Sequence, residues 1–371
     1  MVPDSFKMST IVPVPKKPKV EGLNDGRPVA LTSIACKCFE KIVRDYICAM
    51  LPPTLDPWQF AYRQNRSTDD AIALALHSVL QHLDVKNKGS RCVRMLFVDY
   101  SSAFNTIMPA RLDEKLNVLG VHPALRTWIL NFLTSRRQVV RMGDITSDPL
   151  TLSTGAPQGC VLSPLLYSLY TYDCEAKFSS NIIVKYADDT TVIGKIVNDD
   201  DAAYRTEISQ LALRCQEDNL TLNAKKTKEL IVDFRVPRRQ HAPIYIDGVA
   251  VERVSELKFL CVHITEDIKW STHTTNSAKK GQQRLHCLRQ LKKFNVESQH
   301  PQILLSLQGI YERRCTAKAE RIIKHTYHPS HGLFNTSRNP RPGNRFKSIP
   351  STNNRMLNSF YPTVVRLLNK R

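Results

Sequence analysis

The hydrophobic and polar positions of this 371-residue chain follow two different periods, which predicts a protein of mixed helices and strands. Apolar residues recur every three or four positions where a helix buries one face. This pattern predicts helices over 34–50, 67–83, 110–133 with a break near Gly120 and Pro123, 162–172, 202–220 and 279–293. In the first of these helices the expected buried stripe is Ile34, Phe39, Ile42, Val43, Ile47 and Met50.

Strands are predicted where apolar residues alternate with polar ones or form short runs between turn residues. These segments are 10–15, 93–100, the pair 138–143 and 148–154, the hairpin 181–196, 228–234, and the hairpin 244–254 that turns at Asp247-Gly248. The prolines within 10–15 predict an edge strand. The short 181–196 hairpin and the separate 93–100 strand together favour an α+β fold, with an antiparallel sheet backed by helices.

Charge narrows the range of partners. Lysine and arginine number 53 against 34 acidic residues, a net charge of +19, which favours a polyanionic partner such as nucleic acid.

No run approaches the roughly 20 apolar residues that span a bilayer. The first basic cluster follows an apolar stretch, the reverse of a signal peptide, so we expect an intracellular protein of the nucleus or cytoplasm with no membrane contact.

Three carboxylates stand where a hydrophobic core would not place them. Asp99 ends the apolar run MLFV, while Asp188 and Asp189 occupy the turn of the 181–196 hairpin. Each acid alone fits ordinary turn chemistry. If the two strands share a sheet, however, the acids converge and need a cation to be ionised together. Oxygen ligands select Mg²⁺, with Mn²⁺ as an alternative, and two ions ~4 Å apart can drive attack by a 3′-hydroxyl.

Eight motifs in order give the chain a specific resemblance, which covers roughly residues 5–295. They are STIVPVPKK, GRPVALTS, DPWQFAYRQNRSTDDAI, FVDYSSAFNTI, GAPQGCVLSPLLYSLY, YADD, LTLNAKKTKELIVDF and VSELKFLCVHI. This set resembles the reverse transcriptase of non-LTR (LINE-type) retrotransposons, especially jockey-like elements. The resemblance implies a polymerase right hand of fingers, palm and thumb. It also implies an RNA-directed DNA polymerase that extends a DNA primer on an RNA template with dNTPs.

The resemblance assigns roles at the dNTP site. It makes Asp99, Asp188 and Asp189 the metal ligands and Lys226 the proton donor to pyrophosphate, although Lys226 also fits a solvated basic turn. Arginine suits triphosphate because its planar fork makes bidentate phosphate contacts. The remaining dNTP-site residues would be Arg27, Lys17 or the neighbouring Lys16, Phe104 as a floor that clashes with a 2′-hydroxyl, Gln158, and Gly159 with Gly155.

Template and primer contacts are implied at three places. A template role falls on the second fingers motif, where surface ion pairs are an equal alternative, and a primer-grip role on VSELKFLCVHI. The helix AKKGQQRLHCLRQLKKF resembles a thumb helix, with Leu285, Leu288 and Leu291 on one side. The residues concerned are Gln59, Arg63, Arg66, Leu260, Cys261, Lys280 and Arg284.

These assignments divide the chain into regions and expose departures from the family. We expect fingers over 1–91, palm over 92–235 with a fingers-like insertion at 110–150, primer-grip hairpins over 236–270, a truncated thumb over 271–330, and a basic, partly disordered tail over 331–371. Relatives usually carry a preceding endonuclease domain, a longer thumb, and glycine where Cys261 stands. A truncated or decaying copy is therefore expected.

Two alternatives stay open beside the reverse transcriptase. An RNA-dependent RNA polymerase tends to place a second acid five residues after the first aspartate, and Phe104 disfavours it. A catalytically inactive, nucleic-acid-binding relic is favoured by the truncations alone.

Overall fold

A computed structural model describes residues 2–19, 21–22, 25–85, 90–235, 239–293, 307–336 and 346–369. Eleven α-helices lie in these residues. They are α1 (Asp4–Lys7), α2 (Ile34–Met50), α3 (Thr68–Leu83), α4 (Pro109–Val118), α5 (Pro123–Leu133), α6 (Ser163–Tyr170), α7 (Ala202–Glu217), α8 (Ser271–Lys293), α9 (Leu307–Lys324), α10 (Asn354–Leu357) and α11 (Phe360–Asn369). Across the described ranges, no helix is both long and apolar enough to cross a membrane.

The strands fall at the predicted segments, with several short additions. They are β1 (Met8–Pro15), β2 (Gly26–Leu31), β3 (Arg91–Val98), β4 (Tyr100–Ser101), β5 (Arg136–Met142), β6 (Ile145–Thr146), β7 (Leu150–Leu152), β8 (Asn181–Tyr186), β9 (Asp189–Val197), β10 (Thr221–Leu222), β11 (Lys228–Val232), β12 (Tyr245–Ile246), β13 (Val249–Ala250), β14 (Glu252–Arg253), β15 (Glu256–Phe259) and β16 (Val262–Thr265).

The central sheet has the order β14–β11–β3–β9–β8, with β3 in the middle. The β11–β3, β3–β9 and β8–β9 pairs are antiparallel, and the two-residue pairing of β14 with β11 is parallel. The antiparallel sheet predicted from the hairpin is therefore confirmed, with one short parallel edge. In this arrangement the end of β3 and the β8–β9 turn come to the same end of the sheet.

Both faces of the central sheet are covered by helices, because β3 is apolar on both sides. Val93 and Met95 pack with α3 on one face, in the same buried cluster as Leu74. Leu96 and Val98 pack on the other face, in a second buried cluster that includes residues of α6 and α7. A strand that is covered on both faces has a nearly continuous run of apolar residues. The β3 sequence, RCVRMLFV, has such a run apart from its two arginines.

A second sheet brings the N-terminal strands together with residues 136–152, in the order β2–β1–β5–β6 with β7 also paired to β5. The edge-strand prediction for 10–15 holds for residues 12–15 only, because Thr10 and Ile11 pair with β5 on the side opposite β2. Residues 8–11 pair with β5, so Pro13 and Pro15 lie beyond that contact. The missing proline N–H groups consequently cost no hydrogen bonds to β5.

Helix α2 begins and ends where predicted, but only part of its expected stripe is buried. Val43 and Ile47 are buried, whereas Ile34 is 81% and Ile42 66% exposed. The buried face also includes Glu40. The face that packs was misjudged because the periodicity counts apolar residues and does not reveal which neighbour the helix meets.

Residues 346–369 of the C-terminal region, which we expected to be a basic, partly disordered tail, fold against α3. Tyr361, Val364 and Val365 of α11 are buried in one cluster with residues of α9. The Ser330 and Tyr361 hydroxyls are hydrogen-bonded at 2.6 Å. The apolar spacing of FYPTVVRLL supplies the buried face that the tail's composition as a whole conceals. Residues 337–345, which include RNPRPG, lie outside the described part of the chain.

Candidate active site

The three acids meet at one end of the central sheet. Val98 of β3 pairs with Thr190 of β9, and continuing this register by one residue sets Asp99 opposite Asp189. Directly opposed residues of antiparallel strands have Cα atoms roughly 5 Å apart and side chains on the same face. Tyr186 pairs with Asp189, so Ala187 and Asp188 form a two-residue turn between β8 and β9.

Two of the acids, Asp99 and Asp189, have a raised pKa. Partial desolvation, and then repulsion by Asp188 and Asp99, raises the pKa of Asp189 from 3.8 to about 6. The pKa of Asp99 is also raised, first by burial, with Asp188 contributing and with Lys226 and Lys16 opposing. The Asp189 side chain is exposed at the surface, so solvent screens part of this repulsion. The site thus carries negative charge that its own cations do not fully balance.

This donor set fits hard divalent cations. Three carboxylates offer only oxygen ligands, which suit Mg²⁺ and Mn²⁺. Within the described ranges, the three-residue group whose ligand atoms all lie within 4.8 Å is a different one, formed by Cys92, Asp233 and His241. There Asp233 is already paired with Arg235 at 2.6 Å. The three acids at the sheet end are more widely spaced, so their side chains would turn inward to share an ion.

The backbone of Asp99 is fixed by the segment that carries Lys226. The Asp99 carbonyl accepts from the Asn223 N–H at 2.8 Å, and its N–H donates to the Thr227 hydroxyl at 3.2 Å. Lys226 lies in the turn between these two contacts and is exposed. It lowers the pKa of Asp99, which sets its ammonium within electrostatic reach of the acids.

Phe104, five residues after Asp99, lies on a short 3₁₀ helix, Ala103–Asn105. Its ring is half-buried and packs on Tyr167 with centroids 4.8 Å apart. Asp188 is among the groups that raise the pKa of Tyr167, after burial. The Phe104 ring therefore packs on a tyrosine that lies within electrostatic reach of Asp188, and part of the ring surface is exposed.

The GAPQG segment packs against the Phe104 turn and against β2, and two glycines make this approach feasible. Gly155 has φ +71°, and a Cβ there would lie 2.6 Å from the Asn105 carbonyl oxygen. Gly159 has φ +114°, and a Cβ there would lie 2.9 Å from the Ala30 carbonyl oxygen. Between them, the Gln158 carbonyl accepts from the Ala30 N–H at 2.6 Å. This backbone leaves no room for a side chain at either glycine.

The family profile of the reverse transcriptase (RNA-dependent DNA polymerase) matches residues 14–264, more than half of the chain. The chain belongs to this family. The matched range contains Asp99, Asp188 and Asp189 together with the GAPQG segment. A second profile, described as the N-terminal part of alkylated DNA repair protein alkB homolog 8, matches only residues 270–307.

Curated relatives include non-LTR transposon enzymes. The chain is 26% identical over 78% of its length to the probable RNA-directed DNA polymerase from transposon BS of Drosophila melanogaster, covering 33% of that protein. It is 28% identical over 71% of its length to the X-element counterpart from the same species, covering 29% of it. It is 26% identical over 67% of its length to the RNA-directed DNA polymerase from mobile element jockey of Drosophila funebris, covering 28% of that protein. The chain thus spans about a third of these relatives, and the predicted jockey-like reverse transcriptase resemblance is confirmed.

Solved structures with a similar fold include apo telomerase from Candida tropicalis truncated from its C-terminal domain. It has a TM-score of 0.48 and 14% identity, with 73% of this chain and 56% of that one covered. The telomerase of the same yeast in complex with a fragment of telomeric RNA also has a TM-score of 0.48, with 13% identity and coverage of 72% and 45%. Family membership and the sheet with its flanking helices agree with the predicted right-hand polymerase fold.

The predicted template residues make their contacts mainly inside the protein. Gln59 is fully buried, and its Oε1 accepts the N–H of Ala187 in the β8–β9 turn at 3.0 Å. A buried side chain cannot reach a template, so the template role of Gln59 was wrong. Arg66 donates to the carbonyls of Pro57 and Gln59 at 2.7 and 2.8 Å. Arg63, half-buried, donates to the Leu55 carbonyl.

Sequence reasoning missed Tyr62, which lies on the same loop. Its side chain is 58% exposed, and its φ of +57° is unusual for a tyrosine. After partial burial, Asp188 and Tyr186 are the groups that raise its pKa. An exposed aromatic ring in a strained backbone beside the acids is a candidate contact for bound nucleic acid. The motif FAYRQ shows an aromatic residue among polar ones, but nothing in the motif indicates the positive φ of Tyr62.

The two lysines predicted to bind the triphosphate have different surroundings. Lys17 forms ion pairs with Asp25 at 3.1 Å and Glu21 at 3.7 Å. Lys16 instead is among the cations that lower the pKa of Asp99. Arg27 is exposed on β2, where it pairs with Val14 of β1. Of the two lysines, Lys16 is the one with an electrostatic link to the acids.

The primer-grip segment forms the hairpin of β15 and β16. Phe259 pairs with Val262, which leaves Leu260 and Cys261 as a two-residue turn. Their φ values are +44° and +74°, a geometry in which glycine or asparagine is usual. The following helix α8 carries Lys280 and Arg284, both exposed, and Leu285, which is 46% exposed. The side chains of Leu288 and Leu291 lie outside the described residues.

Proposed function

We propose that this chain is an RNA-directed DNA polymerase, which extends a DNA primer on an RNA template by transferring nucleotides from dNTPs. The observation that supports this most directly is the convergence of Asp99 and Asp189 across the β3–β9 pair, with Asp188 in the adjoining turn. Membership of the reverse transcriptase family and the names of the relatives point to the same reaction. The rest of each relative lies outside the span of this chain, so the proposal concerns the polymerase step alone.

We infer that Asp99, Asp188 and Asp189 would hold two divalent cations, with Mg²⁺ as the natural ion and Mn²⁺ as a substitute. The raised pKa of Asp189 supports this, since mutual repulsion marks a place where added positive charge is favourable. When bound, such ions would lower the pKa of the primer 3′-hydroxyl and neutralise the leaving pyrophosphate. Catalysis of phosphoryl transfer consists mostly of this positioning and charge compensation.

The surrounding residues would orient the nucleotide. Phe104, which packs on Tyr167, would present its ring to the sugar, where it would clash with a ribose 2′-hydroxyl and so favour deoxynucleotides. Gly159 would let the backbone approach the nucleotide closely, and Gln158 would contact it. Arg27 and Lys16 would hold the triphosphate, and Lys226 would protonate the departing pyrophosphate.

RNA template and DNA primer are the proposed partners. The net charge of +19 supports a polyanionic partner, and phosphate contacts by exposed residues such as Lys280 and Arg284 would be independent of sequence. Preference for an RNA template over DNA follows from the family and is part of the proposal. Action in the nucleus or cytoplasm is proposed because both nucleic acids occur there.

Primer extension on poly(rA)/oligo(dT) with dTTP and Mg²⁺ tests the proposal. We expect extension by the wild type and a loss of roughly a thousandfold or more in Asp99→Asn and Asp188→Asn, with primer–template affinity nearly unchanged. Asp144→Asn is a matched control, because Asp144 is an exposed turn acid in the β5–β6 connection. Binding without extension by the wild type would indicate an inactive relic. Normal activity in either site variant would remove the metal-site reasoning.

A further inference from the structure

A buried carboxylate on α2 connects the fingers region to the palm. Glu40 is 0% exposed, although it lies in the middle of a helix whose neighbouring turn faces solvent. A carboxylate withdrawn from water needs hydrogen-bond donors to offset its desolvation. The partners of Glu40 therefore indicate what this residue holds in place.

Those partners belong to the start of α6, directly after the GAPQG segment. Glu40 Oε2 accepts the N–H groups of Val161 and Leu162 at 2.7 and 2.9 Å. These residues immediately precede Ser163, the first residue of α6. N–H groups at the beginning of a helix have no partner within the helix, and negative charge is favourable there. Glu40 thus caps α6 from a different part of the fold.

The second oxygen of Glu40 is fixed as well. Oε1 accepts the thiol of Cys36, one turn earlier on α2, at 3.3 Å. Burial, and then Glu40 itself, raises the pKa of Cys36 to about 12, so this thiol stays protonated and can donate. Cys160 lies close by, and burial raises its pKa to about 12 too. Its thiol is within 2.8 Å of the Ser163 hydroxyl.

The segment between Pro157 and Leu162 is consequently held at both ends. At one end the Gln158 carbonyl is bonded to Ala30, and Gly159 fits against the Ala30 carbonyl. At the other end Glu40 binds the two N–H groups before α6, and the Ser163 hydroxyl donates to the Pro157 carbonyl at 2.7 Å. Removing the Glu40 carboxylate frees one of these ends.

We propose that Glu40 is a positioning residue for the incoming dNTP, which acts by holding Gln158 and Gly159 in register with the acids at the end of β3. This inference rests on the proposed polymerase function. Glu40 does not contact the nucleotide; it fixes the backbone that does. Displacement of a binding group by about 1 Å can reduce turnover roughly a hundredfold, so loss of this cap has a measurable effect.

The test compares three variants of the full chain with the wild type in single-nucleotide extension on poly(rA)/oligo(dT). Glu40→Ala removes both acceptors, while Glu40→Gln keeps one oxygen for Val161 and Leu162. Ile47→Ala is the matched control, since Ile47 is equally buried on α2 but seven residues further along. We expect Glu40→Ala to raise the KM for dTTP about tenfold, Glu40→Gln less than about threefold, and Ile47→Ala to leave it unchanged. Primer–template Kd should be unaffected throughout.

Several outcomes would overturn the proposal. A wild-type KM in Glu40→Ala is one, and an equal rise in Ile47→Ala is another, because it would indicate general loosening of α2. If Glu40→Ala does not fold, Glu40→Asp replaces it: the shorter side chain withdraws the carboxylate, and an unchanged KM there would refute the role. Equilibrium binding of fluorescent mant-dTTP to the protein–primer–template complex measures the affinity for the nucleotide without turnover. An inactive wild type that binds mant-dTTP, with an affinity that falls in Glu40→Ala, would refute the polymerase proposal and leave this one standing.

Discussion

Replacing Asp189 with asparagine should stabilise the metal-free protein while it abolishes polymerase activity. Asp189 lies opposite Asp99 and next to Asp188, and these two acids contribute to the rise of its pKa to about 6. In the unfolded chain the same carboxyl titrates near 3.8. Asparagine has nearly the same shape and carries no charge, so it removes the repulsion and retains the turn.

The sign and size of the change in the free energy of unfolding follow from the folded and unfolded pKa values of Asp189. The folded protein binds the proton more tightly, so its stability falls as pH rises from about 3.8 to about 6 and stays reduced above that. A rise of this size corresponds to roughly 3 kcal/mol at most. Because Asp189 is exposed, solvent screening reduces the expected effect to roughly 1 kcal/mol. Asp189→Asn should therefore be about 1 kcal/mol more stable at pH 8 and equal to the wild type near pH 3.5.

Urea unfolding in EDTA at these two pH values measures the difference, with Asp144→Asn as the exposed turn control. Adding Mg²⁺ at pH 8 should stabilise the wild type and have little effect on Asp189→Asn, since a bound cation replaces the repulsion by attraction. If Asp189→Asn is less stable than the wild type at pH 8, or if the gap does not change with pH, the three carboxylates do not repel one another as the structure indicates.

Four further outcomes are expected. Phe104→Val should increase incorporation of ribonucleotides relative to deoxynucleotides by roughly tenfold, and an unchanged ratio in competition assays would refute the sugar-gate role. Gly159→Ala sets a Cβ 2.9 Å from the Ala30 carbonyl oxygen, so extension should fall roughly a hundredfold; near-normal rates would show that the loop adapts. Cys261→Gly should relieve on the order of 1 kcal/mol of backbone strain at φ +74°, seen as a higher urea midpoint, and a lower midpoint would contradict this. Primer–template affinity, measured by fluorescence anisotropy, should fall about a thousandfold between roughly 50 and 200 mM salt, whereas a flat response would argue against backbone contacts.

Local patterns were sufficient for most elements of this fold. The hairpin at 181–196 was predictable because apolar runs flank the polar pair Asp188-Asp189, although the turn itself is Ala187 and Asp188 and Asp189 begins β9. Helix α3 was predictable because Ser67 precedes a helical apolar period. The meeting of Asp99 with the hairpin acids needed only one assumption, that β3 and β9 are neighbours. Once two antiparallel strands pair, the register decides which side chains face one another.

Long-range pairing was not predictable in the same way. The prolines of β1 indicated an edge strand, but β5 pairs with its other end from more than a hundred residues away. Ile34 and Ile42 fit a helical period and are nevertheless exposed, because periodicity does not specify the neighbour. The C-terminal helix α11 is short, and its buried face is recognisable only when α3 and α9 are in place. In each case the decisive contact lies far away in sequence.

Gln59 shows why a motif can identify a family correctly and still mislead about a side chain. Its motif lies beside the β8–β9 turn, yet the glutamine turns inward and holds Ala187 by hydrogen bonds to its N–H and carbonyl groups. Lys185 supports the same loop from below through an ion pair with Asp56 at 2.9 Å, with both side chains buried. The loop therefore forms a second layer under the β8–β9 turn, and the position of Asp188 depends on it. Changes to this layer should act on catalysis by displacing the acids, whereas we propose that exposed neighbours such as Tyr62 contact the template.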